Sequence, residues 1–222
     1  MEAAHAQAQL GAPHGTAIIA ERQTAGRGTR GRQWSAEVGG LWLSVVARPT
    51  RTDALEALSL RIGLALASLL ELEFPALPTI GLKWPNDLVL GDRKLAGILC
   101  EARWSGSACQ WVVIGVGLNV RNPLSDALAG GATRLADWAP EADAEVLSGP
   151  CVAAVTLAAR AAGPLSGIEL NAFAARDALT GRRVLDPVAG TADGITAGGA
   201  LRVRTDSGPL REILGGVVTT PG

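Results

Sequence analysis

Residues 23–34 read QTAGRGTRGRQW, with Gly26, Gly28 and Gly31 in the pattern G-x-G-x-x-G, Arg27 and Arg30 between them and Arg32 directly after. Glycines let a backbone approach a ligand closely and expose its N–H groups, while arginines fork onto carboxylate or phosphate oxygens. A dinucleotide turn would have to open a helix whose N-terminus receives the pyrophosphate. Here the loop runs instead into RQWSAEVGG, poor helix material, and then a strand. A nucleotide P-loop would need Gly-Lys-Ser/Thr where this chain has Gly31-Arg32-Gln33. Beyond a plain solvated basic loop, the segment suits a mobile flap that closes over an anionic ligand and orders upon it.

A second group of residues favours the flap. KWPND (83–87) gathers Lys83, Asn86 and Asp87 around a proline bend. KLAGILCE (94–101) adds Lys94 and a glycine, Gly97, inside an apolar strand, and GVGLN (115–119) repeats the device with Gly117 and ends on Asn119. A glycine inside a strand often marks a close approach by a ligand. Each station alone reads as ordinary surface; three on neighbouring strands form one lined groove. Lys83 and Lys94 are also the only lysines among twenty basic residues, in a chain that otherwise uses arginine. Chance survival would explain that, but so would two sites that need a compact ammonium.

The elements that must position these residues follow from periodicity and punctuation. The spacing predicts a helix over 2–10, strands over 16–22 and 40–49, and a helix capped at Thr52 or Asp53 and running through Leu72. A strand interrupted at Pro85 spans 79–90, and a turn at Gly91-Asp92 leads into a strand over 93–104. A second turn, SGSACQ, leads into a strand over 111–120. Helices are expected over 150–162 and 166–179. From Gly181 the chain becomes short β-like runs separated by Gly, Asp and Pro. The fold class expected is α+β: a mixed or antiparallel sheet with helices packed on one face, plus a small C-terminal β-barrel. Two domains follow, residues 1–178 and 181–222.

Composition narrows the function classes. The chain has 222 residues, is 48% hydrophobic and 18% charged, and carries a formal net charge of −1. That suits a good-sized core and offers no overall electrostatic footprint for nucleic acid. No secretory segment is legible, and the apolar run LSLRIGLALASLL (58–70) is too short to span a bilayer. Cys100, Cys109 and Cys151 are odd in number and lack metal spacing; in a hairpin centred near Gly106 the first two fall out of register. Reduced thiols in a cytoplasmic protein are the expectation.

GRGTRGRQW, KWPND, KLAGILCE and GVGLNV, in this order and at these spacings, resemble the biotin–protein ligases, of the type without a DNA-binding domain. The resemblance runs from about residue 15 to the C-terminal runs. It implies that biotin and Mg-ATP form biotinyl-5′-AMP and pyrophosphate, and that a lysine of a biotin carboxyl carrier domain then attacks the mixed anhydride. On this resemblance the catalytic group is Arg27, Lys94 and Asp87. Arg27 bridges the biotin carboxylate and the phosphate, Lys94 holds the same oxygens from the strand side, and Asp87 either aids deprotonation of the acceptor lysine or holds Mg²⁺. The biotin-binding set is Gln23, Arg27, Gly28, Thr29, Lys94, Gly97, Ile98 and Leu99, with Ile98 and Leu99 bordering the pocket through side chain or backbone. The ATP and adenylate set is Gly26, Arg27, Arg30, Arg32, Trp34, Lys83, Asn86, Gly117 and Asn119. No metal ligand is assigned with certainty. The C-terminal barrel is expected to be SH3-like and to complete the nucleotide side or meet the carrier.

Two departures from the family pattern matter. A Ser-Thr pair that hydrogen-bonds the ureido ring of biotin normally precedes the first helix, and no such pair precedes Glu2. The expectation is that native residues upstream of Met1 are missing; a protein starting at Met1 would bind biotin weakly. Thr29 stands where the flap usually repeats a basic residue, which should loosen the grip on the adenylate. A lipoate or octanoate ligase or transferase of the same fold is the alternative enzyme, and a non-catalytic adenylate-binding module the alternative class. No operator binding and no membrane partner are expected. An edge strand of the sheet could pair across a two-fold axis to make a homodimer, by analogy with relatives.

Overall fold

The computed structural model describes residues 1–53, 55–125, 130–216 and 218–220. Strands β1 (Ala17–Ala20), β2 (Leu41–Ala47), β3 (Gly81–Lys83), β4 (Asp87–Leu90), β5 (Arg93–Ser105) and β6 (Ala108–Leu118) form one sheet in the order β1-β2-β6-β5-β4-β3. Every neighbouring pair is antiparallel. The β4–β5 and β5–β6 turns carry Gly91 and Gly106 at φ +59° and +57°, a region glycine enters without a Cβ penalty. A smaller antiparallel sheet, β10-β9-β8-β7, is made of β7 (Arg183–Val184), β8 (Gly190–Ile195), β9 (Leu201–Thr205) and β10 (Leu210–Ile213).

Among the described residues, helices α2 (Leu58–Glu73), α3 (Ala144–Ala158) and α4 (Gly167–Ala174) cover one face of the large sheet, while α1 (Glu2–Gln9) lies on the other. The one-face expectation is corrected by the pleat. Leu43, Val45 and Ala47 of β2 face the main core, whereas Val46 and Val113 face a second, small cluster with Ala4 and Ala8. A strand buried on both faces needs cover on both. Alanines on α1 let that helix lie close.

Three helix boundaries differ from expectation. α2 starts at Leu58 with Ala57 before it and no side-chain cap, while Arg51 donates to both oxygens of the Asp53 carboxylate. α3 begins six residues earlier than expected: Asp143 accepts from the N–H groups of Glu145 and Val146, and Pro150 sits inside the helix. Pro150 deprives the Val146 carbonyl of its partner, but Val146 is 73% exposed, where water can replace it. α4 starts at the expected cap, Ser166, in a capping box with Glu169. It stops at Ala174 because Leu82 N–H donates to Arg176 O and Ala178 N–H to Leu82 O, drawing the chain beside β3.

Buried Arg61 on α2 donates to both carboxylate oxygens of Glu169 and to the carbonyls of Gly163 and Pro164. The Arg61 hydrogen bond, helped by the N–H and hydroxyl of Ser166, outweighs burial and holds the Glu169 carboxyl down to about 2. A depressed carboxyl stabilises the fold above its unfolded value near 4.5 and loses that contribution as pH falls toward 2. A pH series of urea unfolding should therefore show about 2 kcal/mol disappearing across that window. Glu169→Gln should be less stable at pH 7 and should lose less stability across that window, Asp53, Asp137 and Asp206 supplying the remaining slope; a wild-type-like slope in that variant would sink the assignment.

The two sheets share a continuous core: Val184, Ala192, Leu201 and Val203 belong to the same buried cluster as Leu82, Leu88 and Leu90. Trp84 Nε1 donates to Gly199 O at 2.8 Å and Leu165 N–H to Ala197 O at 2.8 Å, fastening the small sheet beside KWPND. Cys100, Cys109 and Cys151 carry free thiols. Among the described residues no helix is long and apolar enough to cross a membrane.

Candidate active site

Register places the site. In an antiparallel sheet, residues paired across strands share a face. One row runs Ala20–Trp42–Gly117–Gly97–Asp87–Lys83 from β1 to β3. The next row is Ile18–Ser44–Gly115–Leu99, and the next Val46–Val113–Glu101 under α1. Three glycines thus leave a trough across the middle of the sheet. With the flap above it, the trough becomes a cleft of about 610 Å³.

The flap is a short twisted ribbon. Gln23 N–H donates to Ala36 O, Trp34 N–H to Gly26 O and Gly28 N–H to Arg32 O, and a 3₁₀ turn at Thr29–Gly31 forms the tip. A Cβ on Gly26 would lie 2.3 Å from Trp34 O, so the glycine is needed for the ribbon itself. Trp34 lays its indole down into the trough. A Cβ on Gly117 would come within 2.7 Å of the ring and one on Gly97 within 3.2 Å. Trp42 meets it edge-on with centroids 6.3 Å apart. Lys94 Nζ lies 5.1 Å from the Trp34 centroid and 2.6 Å from Asp87 Oδ1, a cation held between a carboxylate and a π face. Trp34 Nε1 is buried with no hydrogen-bond partner among the described residues, a donor that an incoming acceptor could satisfy.

Of the residues expected at the site, Gln23, Arg27, Gly28, Thr29, Arg32, Trp34, Asn86, Lys94, Gly97, Ile98, Leu99, Gly117 and Asn119 line the cleft. Ile98 does so by its backbone: its side chain is in the core, its N–H donates to Asn86 O, and its carbonyl accepts from Asn86 Nδ2 at 2.6 Å. Asn119 is buried and accepts from Asn122 Nδ2 at 3.2 Å. Gly26, Arg30, Lys83 and Asp87 stand outside the lining. Asp87 still acts on the cleft through Lys94, and Lys83 ends the same row at the sheet edge. Arg30 turns away: it has φ +59°, and its guanidinium lies where a Cβ on Gly216 would be 3.1 Å distant, beside the C-terminal segment.

Sequence reasoning gave no role to Ser44, Trp42, Gly115 or Glu101, although each faces this side of the sheet. Glu101 ends the quoted motif KLAGILCE; its partners, His5 and Arg27, are too far along the chain to be read from spacing. Burial pushes the Cys100 and Cys151 thiols up to about 12, so neither is a thiolate nucleophile. Among the described residues no group of three or more His, Cys, Asp or Glu could hold a metal ion.

Fold and site together define an α+β domain whose glycine-arginine flap overlies a glycine-floored cleft in an antiparallel sheet. Residues 5–119 match the biotin/lipoate A/B protein ligase family, which is more than half of the chain, and the protein belongs to that family. The chain is similar to the biotin–[acetyl-CoA-carboxylase] ligase of Mycobacterium tuberculosis, 46% identical over 110 residues, covering 48% of this chain and 40% of that protein. It is also similar to the ligase of that description from Paracoccus denitrificans, 40% identical over 119 residues, covering 52% and 49%. The matched segment spans less than half the length of each of these relatives. Among solved structures, the biotin protein ligase from Aquifex aeolicus in complex with biotin and ATP aligns with a TM-score of 0.83 at 24% identity, covering 98% of this chain and 94% of that one. That likeness shows a shared fold.

Proposed function

We propose that this protein is a biotin–protein ligase. It activates biotin with ATP to biotinyl-5′-AMP and pyrophosphate, then transfers the biotinyl group to a lysine of a biotin carboxyl carrier domain. The observation that carries this reading is the placing of two cations, Arg27 on the flap and Lys94 on β5, along one glycine-floored cleft. Both lie within residues 5–119, the segment that matches the family. In the first step a biotin carboxylate oxygen attacks the α-phosphorus and pyrophosphate leaves. Two anions must be brought together, so positioning and charge stabilisation supply most of the rate. Arg27 bridges carboxylate and phosphate from above, and Lys94 takes the same oxygens from the sheet. The Lys94–Asp87 pair at 2.6 Å supports a positioning role for Asp87, which keeps the ammonium aimed before the ligand arrives. In the second step the carrier amine attacks the mixed-anhydride carbonyl, AMP leaves and the amine loses a proton.

Mg²⁺ enters this reading on the triphosphate, since magnesium is commonly bound through substrate phosphates and one or two carboxylates. Trp34, Gly117 and Asn119 form the adenylate end, with the unpartnered indole N–H a donor for it. Gln23 serves the biotin carboxylate end, and Gly28, Thr29, Gly97 and Leu99 complete the biotin-binding set. Arg32 supports the flap tip, its guanidinium donating to Thr29 Oγ1 at 3.0 Å.

The division at about residues 178–181 belongs to the same proposal, with the small sheet as an SH3-like barrel. Support comes from the strand-like pairing after β7 and β10: Leu185 N–H donates to Thr219 O and Thr219 N–H to Asp186 O, which brings the two ends of the sheet together. A homodimer through an edge strand of the large sheet and a cytoplasmic location with reduced thiols complete the reading.

ATP–pyrophosphate exchange with biotin, lipoate or octanoate supplied in turn tests the function. Exchange with biotin alone is expected; exchange with lipoate or octanoate and not biotin would overturn the biotin assignment. Thr29→Arg should slow escape of biotinyl-5′-AMP roughly tenfold, because a charge-assisted contact to the phosphate replaces an uncharged one. Equal release rates in a filter-retention assay would sink that prediction.

A further inference from the structure

Arg27 faces carboxylates of the protein itself. Its Nη2 lies 3.6 Å from Glu101 Oε2 and its Nη1 3.9 Å from Glu2 Oε1. Glu2 is almost fully exposed, whereas the Glu101 side chain is 23% exposed and firmly aimed. His5 Nε2 makes a 2.9 Å hydrogen bond to the same Oε2, and Trp111 Nε1 lies 3.0 Å from His5 Nδ1. An indole N–H can only donate, so His5 Nδ1 accepts, and the ring proton sits on Nε2 and donates to Glu101. A neutral histidine therefore fixes the carboxylate from behind, and the relay runs Trp111 to His5 to Glu101 to Arg27. It joins β6, α1, β5 and the flap.

Glu101 also shares the cleft face of β5 with Gly97 and Leu99. An arginine fork that awaits a ligand carboxylate is thus resting on a carboxylate of the protein, one strand position beyond the cleft floor. We propose that Glu101 is a positioning residue that holds the flap through Arg27 in the absence of ligand and competes with the ligand's carboxylate for that guanidinium. His5 and Trp111 set its aim. The inference rests on the ligase reading for the identity of the ligand, but the restraint on the flap does not.

Glu101→Gln tests both parts, since glutamine keeps an acceptor for His5 and removes the charge. Without ligand, trypsin cleavage within residues 23–34 should become roughly three- to fivefold faster, as expected for losing a partly exposed ion pair. The dissociation constant for biotin should fall by a similar factor, while biotinamide, which lacks the carboxylate, should bind as to the unsubstituted protein. A merely structural glutamate would shift both ligands together. Equal flap cleavage rates, or parallel changes for biotin and biotinamide, would overturn the proposal. Should the unsubstituted protein bind neither ligand, the cleavage rates still decide the restraint, and the failure belongs to the ligase reading.

Discussion

Lys94→Gln is expected to lower biotin-dependent ATP–pyrophosphate exchange by about 10²- to 10³-fold, the usual cost of removing one preorganised donor from a developing charge. Lys94 holds its ammonium 2.6 Å from Asp87 and 5.1 Å from the Trp34 centroid, with the missing Cβ of Gly97 only 3.3 Å from Nζ. That is a narrow seat for a compact cation. Lys94→Arg should also lose most of the activity, because a planar guanidinium cannot sit between the indole and the Gly97 backbone without displacing one of them. The fold should persist in both variants. Lys94 N–H donates to Gly131 O and Thr133 N–H to Lys94 O, contacts that any side chain leaves intact. Less than a tenfold loss in Lys94→Gln, with unchanged KM for ATP, would remove Lys94 from the catalytic group. Asp87→Asn should cost less, about tenfold, since it disturbs only the aim of a lysine that is still present.

The contrast between these residues and the relay behind Arg27 shows what the sequence could and could not reveal. Lys94, Gly97 and Gly117 were legible because each breaks the pattern of its own strand: a charge or a missing side chain in an apolar run needs an explanation. The β4–β5–β6 meander was legible for a related reason, two tight turns between alternating runs. The Glu101–His5 contact was not, because 96 residues separate its partners and neither violates a local rule. The same holds for α1, whose alanines could face either side of a sheet until Val46 and Val113 are known to need cover. At α2, local capping preference pointed to Thr52 or Asp53, whereas the helix starts at Leu58 without a side-chain cap. At Arg30, composition grouped three flap arginines together; geometry separates them, sending one toward Gly216 while Arg27 and Arg32 keep to the cleft.

Gly97 and Gly117 lie directly beneath the Trp34 indole. They mark a close approach, and the group that approaches is the protein's own indole. Gly117→Val isolates that contact. Valine suits a strand, and no positive φ stands in its way, so pairing with Trp42 and Gly97 should survive. Its Cβ, however, would lie 2.7 Å from Trp34 Cε2, and its methyl groups closer still. The indole must leave the trough, taking with it the lower anchor of the flap and the π face over Lys94. On the ligase reading, KM for ATP should rise at least about tenfold, because one immobilised stacking platform is worth about 1–3 kcal/mol to a base. The midpoint of thermal unfolding should change little, since the rest of that row lies outside the main core. Trp34→Ala should reproduce the KM defect, and adding Gly117→Val to it should bring no further loss, as two changes to one contact do not add. A Gly117→Val protein with an unchanged KM for ATP would mean that Trp34 lies in the trough only as a lid, and that the adenylate is bound elsewhere in the cleft.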